Sequence, residues 1–221
     1  MKHITKYLIG MWFLIIIPEI FAQQAILRDL SGTVELKFAG SSVWETARKG
    51  QSLAEDTIIS TGFKSTALIQ AGSSLITVRP LTRMILSELR SAAGTETINV
   101  GLQTGRVRVD VKPPAGTKTT MSVSGPIATA SVRGTVFEFD TINLIVSEGT
   151  VEFLSGTSVT SVLIDAGRSS FADEQTGRAA LPEETALAEL KPELPIGTEI
   201  IRPIEQSSPE NTVTLNTIVI F

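Results

Sequence analysis

A short alternating segment in the middle of the chain constrains the fold more than any other feature of the sequence. In the segment Val136–Asp140, phenylalanines alternate with Glu138 and Asp140. Because successive side chains of a β-strand point to opposite faces, this pattern predicts a strand with one buried face and one solvated face. The Arg133-Gly134 pair just before it predicts a tight corner where only glycine, which lacks a Cβ, fits.

A glycine followed two residues later by valine precedes several strand-like segments. Copies of this unit begin at Gly32, Gly105, Gly134 and Gly149, at unequal intervals. The unequal spacing excludes a repeat array of fixed period. The copy at Gly105 leads into the clearest strand, Arg106–Val111, in which valines alternate with charged residues. We interpret each copy as a glycine corner that feeds a half-buried strand, and stacked units of this kind predict a β-solenoid-like or a sandwich-like body.

Helix signals are scarce before Pro182, where strand and turn residues dominate. We therefore predict one all-β domain over residues 23–172, built as a stack of short antiparallel strands. Residues 173–221 are predicted to form a C-terminal extension. It is expected to contain a short helix at about 183–191, where acidic residues follow a proline, and a last strand at about 212–221. That strand would cover a sheet edge of the domain or pair with a partner chain.

Residues 1–22 are predicted to be a secretory signal peptide. Lys2 and Lys6 precede the apolar run Leu8–Ile17, which is followed by a proline. The run is shorter than the roughly 20 apolar residues that span a bilayer. We therefore expect an exported protein with no membrane span in the mature chain.

Residue usage excludes several classes of chemistry. His3 is the only histidine and the chain has no cysteine, so the expected mature protein has neither an imidazole nor a thiol. Ser-His-Asp and Cys-His nucleophilic machinery is therefore not expected, nor are the usual zinc, haem and iron–sulfur sites. The formal net charge of −4 argues against nucleic acid as a partner. The sequence predicts no enzyme activity and no cofactor.

Further motifs follow one another in order along the predicted domain. They are Gly32-Thr-Val, Val43-Trp44, Gly50-Gln-Ser-Leu, the segments 56–62, 65–70 and 72–78, Gly105-Arg-Val-Arg-Val, the segment 126–135 and Gly149-Thr-Val-Glu-Phe. The ordered set resembles the FecR family of bacterial envelope domains. Its most specific part consists of Ser131, Val132, Arg133, Gly134 and Thr135, which we expect to be structural.

The resemblance implies an all-β periplasmic or cell-surface domain that works by contact with other proteins. The best-known members are membrane-spanning regulators that relay a signal from an outer-membrane transporter to a sigma factor. This chain differs, because its predicted export signal stands where a cytoplasmic region would begin and no internal membrane helix is predicted. We therefore carry over the fold, the compartment and a binding role, and not the relay itself.

Four charged residues are candidate contact residues. Glu138 and Asp140 share one strand face, about 7 Å apart, a separation at which paired carboxylates can cleave glycosides. The alternative, which we favour, is a solvated face on which the two acids pair across strands with Arg106 and Arg108.

Arg133 and Trp44 each have two interpretations. The Arg133 guanidinium either contacts a ligand or ties its corner by donating to backbone carbonyls, and we favour the second. Trp44 either anchors an interface or is buried, fully or partly, in the core, and again we favour the second.

Taken together, the sequence predicts an exported, non-enzymatic module that binds or scaffolds an envelope or surface protein, with envelope signalling among its roles. Self-assembly into a homo-oligomer is a related expectation. The alternative is a glycan-binding or carbohydrate-active surface protein that uses its surface acids on peptidoglycan.

Overall fold

Seventeen β-strands make up the part of the chain that the computed structural model describes, residues 24–92, 94–156, 161–173 and 175–182. The strands are β1 (Ala25–Ser31), β2 (Val34–Lys37), β3 (Glu45–Thr46), β4 (Ser52–Leu53), β5 (Ile58–Thr61), β6 (Thr66–Ala71), β7 (Ser74–Val78), β8 (Arg83–Ala92), β9 (Thr95–Thr104), β10 (Arg106–Val111), β11 (Lys118–Ser124), β12 (Ala128–Val132), β13 (Val136–Asp140), β14 (Asn143–Glu148), β15 (Thr150–Ser155), β16 (Ser161–Asp165) and β17 (Ser169–Phe171). This confirms the all-β class. Within these residues no helix has the length and apolarity needed to cross a bilayer.

The predicted signal peptide, C-terminal helix and last strand lie outside the described residues. The predicted domain boundary near residue 173 stays a prediction. The described chain continues to pack beyond it, because Ala179 forms a bridge with Ala172 and the Ala180 N–H donates to the Phe171 carbonyl at 2.8 Å.

The strands form two sheets. The eight-stranded sheet has the order β17-β14-β13-β10-β7-β6-β1-β4, and the nine-stranded sheet has the order β16-β15-β12-β11-β9-β8-β5-β2-β3. Every described pair is antiparallel except β9 with β11, which is parallel. The expectation of antiparallel strands throughout was wrong at this pair. Its cause is β10, which follows β9 but belongs to the other sheet, so that the chain returns to the nine-stranded sheet running in its original direction.

The body combines features of both predicted architectures. Two sheets enclose one hydrophobic core, as in a sandwich, and the Phe139 ring of one sheet meets the Phe153 ring of the other edge-to-face at 6.0 Å. From β5 onward, however, each sheet adds its strands in chain order, as a solenoid does. The fold is a sandwich that grows along one axis.

Alternation along the strands sets which residues reach the core. The three valines of β10 are buried, whereas its charged residues lie on the outer face. The same pattern holds in β13, where Phe137 and Phe139 are buried. Val136 is buried as well, because the register shifts between Val136 and Phe137, and a bulge places two successive side chains differently from regular alternation.

Each passage between the two sheets contains one residue with positive φ. The chain makes ten such passages, and the residues are Gly32, Gly50, Asp56, Lys64, Leu81, Gly105, Gly116, Gly134, Gly149 and Gly167. All four copies of the glycine–x–valine unit belong to this set. The predicted glycine corner is therefore confirmed, and the structure shows what it does: it turns the chain from one sheet into the other.

Two of these corners share one hydrogen-bond arrangement. At Gly105, the Arg106 N–H donates to Thr82 Oγ1 at 3.0 Å. At Gly32, the following N–H donates to Ser65 Oγ at 2.8 Å. In both cases the hydroxyl belongs to another corner, because Thr82 follows Leu81 and Ser65 follows Lys64. Neighbouring corners therefore satisfy each other's backbone N–H groups.

The Arg133-Gly134 corner differs from the expectation in its physical cause. A Cβ on Gly134 would have room, since its nearest neighbour would be Pro113 Cδ at 3.5 Å. Glycine is favoured there by a φ of 92°. The position without room for a Cβ is Gly149, where a Cβ would lie 2.6 Å from Thr135 Cγ2.

We predict that Gly105→Ala destabilises the fold far more than Gly116→Ala. Both glycines have positive φ, 88° and 82°, but a Cβ at Gly105 would overlap Thr82 Oγ1 and lie 2.7 Å from the Leu81 carbonyl oxygen, whereas none of the described atoms lies within 4 Å at Gly116. We expect the free energy of unfolding to fall by about 3 kcal/mol at Gly105 and about 1 kcal/mol at Gly116. Urea unfolding would measure both, and equal losses would contradict the role of close packing.

Candidate functional site

The register of β10 and β13 brings four predicted contact residues together. Arg106 lies opposite Asp140, and Arg108 lies opposite Glu138. Arg106 Nη2 is 2.9 Å from Asp140 Oδ2, and Arg108 Nη1 is 3.6 Å from Glu138 Oε1. The predicted cross-strand ion pairs are therefore confirmed, while the role of these residues in partner contact stays a prediction.

A third arginine, which no local sequence pattern predicted, completes this cluster. Arg79 follows β7, and its Nη2 donates to Glu138 Oε1 at 2.6 Å. Its backbone N–H donates to the Arg106 carbonyl at 3.0 Å. Only the sheet order, which places β7 beside β10, shows that Arg79 belongs here. We refer to Arg79, Arg106, Arg108, Glu138 and Asp140 as the arginine patch.

Both carboxyl groups of the patch are held in their charged form. Burial raises the pKa of Glu138, but hydrogen bonds and charge from Arg79 and then Arg108 outweigh it and leave the pKa below its ordinary value. Burial likewise raises the pKa of Asp140, but donation from the Asn143 N–H and from Arg106 outweighs it and lowers that pKa. A glycosidase needs a general acid with a raised pKa. This pair shows the opposite shift, which counts against the glycan-cleaving interpretation of these two residues.

Asp140 also has a structural task. Its Oδ1 accepts the backbone N–H groups of Ile142 at 3.2 Å and Asn143 at 2.7 Å, which closes the turn between β13 and β14. A carboxylate held by a turn and an arginine has little freedom to move. Asp140 and its partner Arg106 are therefore held in place on the sheet.

Exposure differs between the two charges of the patch. The Arg106 side chain is 50% exposed, whereas that of its partner Asp140 is 20% exposed. Arg79 and Arg108 likewise lie further out than Glu138. The surface thus presents three guanidinium groups above two half-buried carboxylates. The exposed side chain of Ile145, directly opposite Glu138 on β14, adds an apolar margin.

Trp44 lies elsewhere, directly before β3 of the nine-stranded sheet. Lys37 Nζ and the Arg83 guanidinium carbon are each 5.4 Å from the centre of its ring. The side chain is half-buried and lies outside the main core cluster. Two cations over an indole form cation–π contacts, so partial burial is what the structure shows and the full-core alternative does not hold.

The motif residues 131–135 divide between core and surface. Val132 and Thr135 are buried, while Ser131 lies on the outer face of the nine-stranded sheet, opposite Glu152. Arg133 is exposed and forms no hydrogen bond or ion pair with the described residues. The expectation that its guanidinium ties the corner through backbone carbonyls was wrong, because the side chain points outward from the end of β12.

Arg133 lies instead between two concavities of the surface. One has a volume of about 260 Å³ and the other of about 420 Å³, and Arg133 and Thr120 line both. We refer to the two together as the motif groove. The sequence could not reveal it, since its lining residues come from several strands and connections between residues 95 and 163.

We predict that Glu138→Gln weakens the fold at neutral pH and much less in acid. The charged carboxylate stabilises the fold above its unfolded pKa, 4.5, and this contribution is lost as the pH falls through the lower folded value. The free energy of unfolding should drop by about 1 kcal/mol at pH 7, and the difference from wild type should shrink at pH 3. Urea unfolding at both pH values would measure it, with Glu35→Gln, at an exposed β2 residue, as the control. A difference that is constant with pH would contradict the ion-pair assignment.

Two crystal structures of a protein from Parabacteroides distasonis ATCC 8503, described as a "putative anti-sigma factor", are similar to this chain. Each has 14% sequence identity and a TM-score of 0.45, over 56% of this chain and 57% of that chain. The aligned part thus spans just over half of that protein. No curated protein matches the sequence significantly.

The model of the FecR protein family matches residues 57–152. The matched segment runs from the connection before β5 into β15 and includes three arginines and both carboxylates of the arginine patch, together with the motif residues 131–135. This match confirms the resemblance drawn from the ordered motifs, over residues 57–152 of the chain.

Proposed function

We propose that this protein is an exported, non-enzymatic binding module of the bacterial envelope that contacts another protein through its arginine patch. The FecR match over residues 57–152 supports a role in envelope signalling. The compartment rests on the predicted signal peptide at residues 1–22, and either the periplasm or the cell surface fits it. Fractionation of cells, with the mature N-terminus read by mass spectrometry, tests that part.

The observation that carries the proposal is the construction of the arginine patch. Arginine is enriched at the energetically important centres of protein interfaces. Here Arg79 and Arg108 share Glu138, and Arg106 is held by Asp140, so the guanidinium groups are placed before any partner arrives. A preorganised contact loses less conformational entropy on binding.

The charge of the patch also indicates the kind of partner. Three cations stand over two carboxylates, so the patch carries a net positive charge on a chain whose formal net charge is −4. An acidic surface on the partner would be attracted to it and away from the rest of the molecule. An envelope protein with an acidic face therefore fits best.

We predict that Arg108→Ala reduces capture of the partner without unfolding the domain. Arg108 has the longest ion pair of the patch, 3.6 Å, whereas Arg79 holds the same carboxylate at 2.6 Å, so Glu138 keeps a partner in the variant. In-cell crosslinking followed by mass spectrometry should show roughly a tenfold loss of the crosslinked protein, equivalent to about 1.4 kcal/mol.

The matched control is Arg48→Ala, which removes an exposed arginine away from the patch. Its capture should equal that of wild type, and thermal unfolding should show that both variants are folded. Equal capture by the Arg108 and Arg48 variants would show that the arginine patch does not contact the partner. A crosslink between two copies of the chain would identify the partner as the protein itself.

A further inference from the structure

The motif groove is a second surface, separate from the arginine patch, and it contains cations that form no ion pair with the described residues. It is lined by residues of the nine-stranded sheet and of the β10–β11 connection, whereas the patch lies on the eight-stranded sheet. Its larger part, of about 420 Å³, falls within the size range of ligand sites in proteins. The motif at residues 131–135 borders the groove. None of its residues belongs to the arginine patch, so the proposed contact through the patch does not involve this motif.

The larger part of the groove contains two cations and no carboxylate among its lining residues, which include Lys118 and Arg133. Neither side chain has an ion-pair partner among the described residues. Every arginine of the arginine patch, by contrast, has a carboxylate within 4 Å. The nearby Glu96 carboxylate is occupied, since it accepts from Ser73 Oγ at 2.6 Å and Thr119 Oγ1 at 3.0 Å. The two cations are thus available for an incoming anion.

The smaller part of the groove has a different character. Glu152 on β15 lies directly opposite Leu163 on β16, and both line this part together with Arg133. The Leu163 side chain is 66% exposed. Along its length, the groove therefore offers cations, then one carboxylate, then an apolar side chain.

This order favours a peptide over an acidic glycan. A polymer with a charge on every unit would bring negative charge next to Glu152, and like charges repel. A peptide can place one carboxylate at the cations, polar residues beside Glu152 and an apolar residue at Leu163. Arginine also binds carboxylates in a bidentate geometry, which fixes orientation as well as position.

The spacing of the strands sets the spacing of the ligand. Arg133 follows β12, and Leu163 lies in β16, two strands further along the sheet order β16-β15-β12. The register places Leu163 across from Ser131, two residues before Arg133, so two strand spacings and this offset amount to about 12 Å. Three residues of an extended chain span about 10 Å at about 3.3 Å each, and the long Arg133 side chain covers the remainder. We propose that the motif groove binds an extended peptide segment of a partner protein, with an Asp or Glu carboxylate between Arg133 and Lys118 and an apolar side chain three residues away on Leu163. This inference rests on the proposed protein-binding function and adds a recognised sequence to it.

The test uses the full chain and a fluorescein-labelled probe, Leu-Ser-Thr-Glu-Thr-Ser-Leu with blocked ends, which places leucine three residues from the glutamate in both directions. Fluorescence anisotropy should show saturable binding. Replacing the glutamate of the probe by glutamine, or both leucines by serine, should weaken binding at least fivefold. Arg133→Ala and Lys118→Ala should each weaken binding of the glutamate probe at least fivefold, while Arg48→Ala should leave it unchanged.

Three results would overturn the inference: no saturable binding of the probe, equal binding of the glutamate and glutamine probes, or an Arg133 variant that binds as wild type does. Displacement of the probe by polygalacturonate at lower concentration than by unlabelled peptide would assign the groove to a glycan and overturn it as well. These outcomes are distinct from failure of the proposed function. That failure appears as unchanged crosslinking in the Arg108 variant, whereas failure here leaves the effect of Arg108 intact.

Discussion

The left-handed backbone conformation of one residue at each passage between the sheets is the constraint on which the structure depends. Every passage in the described chain turns on one residue with positive φ, a conformation that costs an L-residue about 1–2 kcal/mol and glycine almost nothing. Glycine accordingly occupies most of these places. Leu81, at φ 56° and largely exposed, accepts the strain where a glycine is absent. Because each turn sends the chain into the opposite sheet, both sheets grow together along one axis.

Contacts between neighbouring corners make this winding cooperative. The hydroxyls of Ser65 and Thr82 receive backbone N–H groups from other corners, and the corner at Gly149 packs on the methyl group of Thr135. Across the sandwich, Glu96 of one sheet accepts from Ser73 beside the other. The rigid body that results carries two outer faces of different character, one with its arginines paired and one with two cations that lack carboxylate partners among the described residues.

The sequence predicted the class of fold and one of the two surfaces well, and the reason is local alternation. Charges every second residue in β10 and β13 placed Arg106, Arg108, Glu138 and Asp140 on outer faces, and opposite signs suggested their pairing. Arg79 was not predicted, because no residue pattern near it in the sequence indicates a contact with β13. The expected carbonyl ties of Arg133 were wrong for a related reason: whether a guanidinium folds onto its own corner depends on what the neighbouring strands leave open.

By itself, the sequence determined that the domain is built from half-buried strands, which faces of β10 and β13 are buried, and where the glycine–x–valine units turn the chain, because these depend on side-chain alternation and on the missing Cβ over a few residues. Only the tertiary structure decided that the body is a sandwich with solenoid-like growth, that β9 and β11 run parallel, and that residues from β7, β10 and β13 form one patch. Those properties depend on which strands become neighbours across the sheets. The choice is made by packing one shared core, and no short stretch of sequence contains that information.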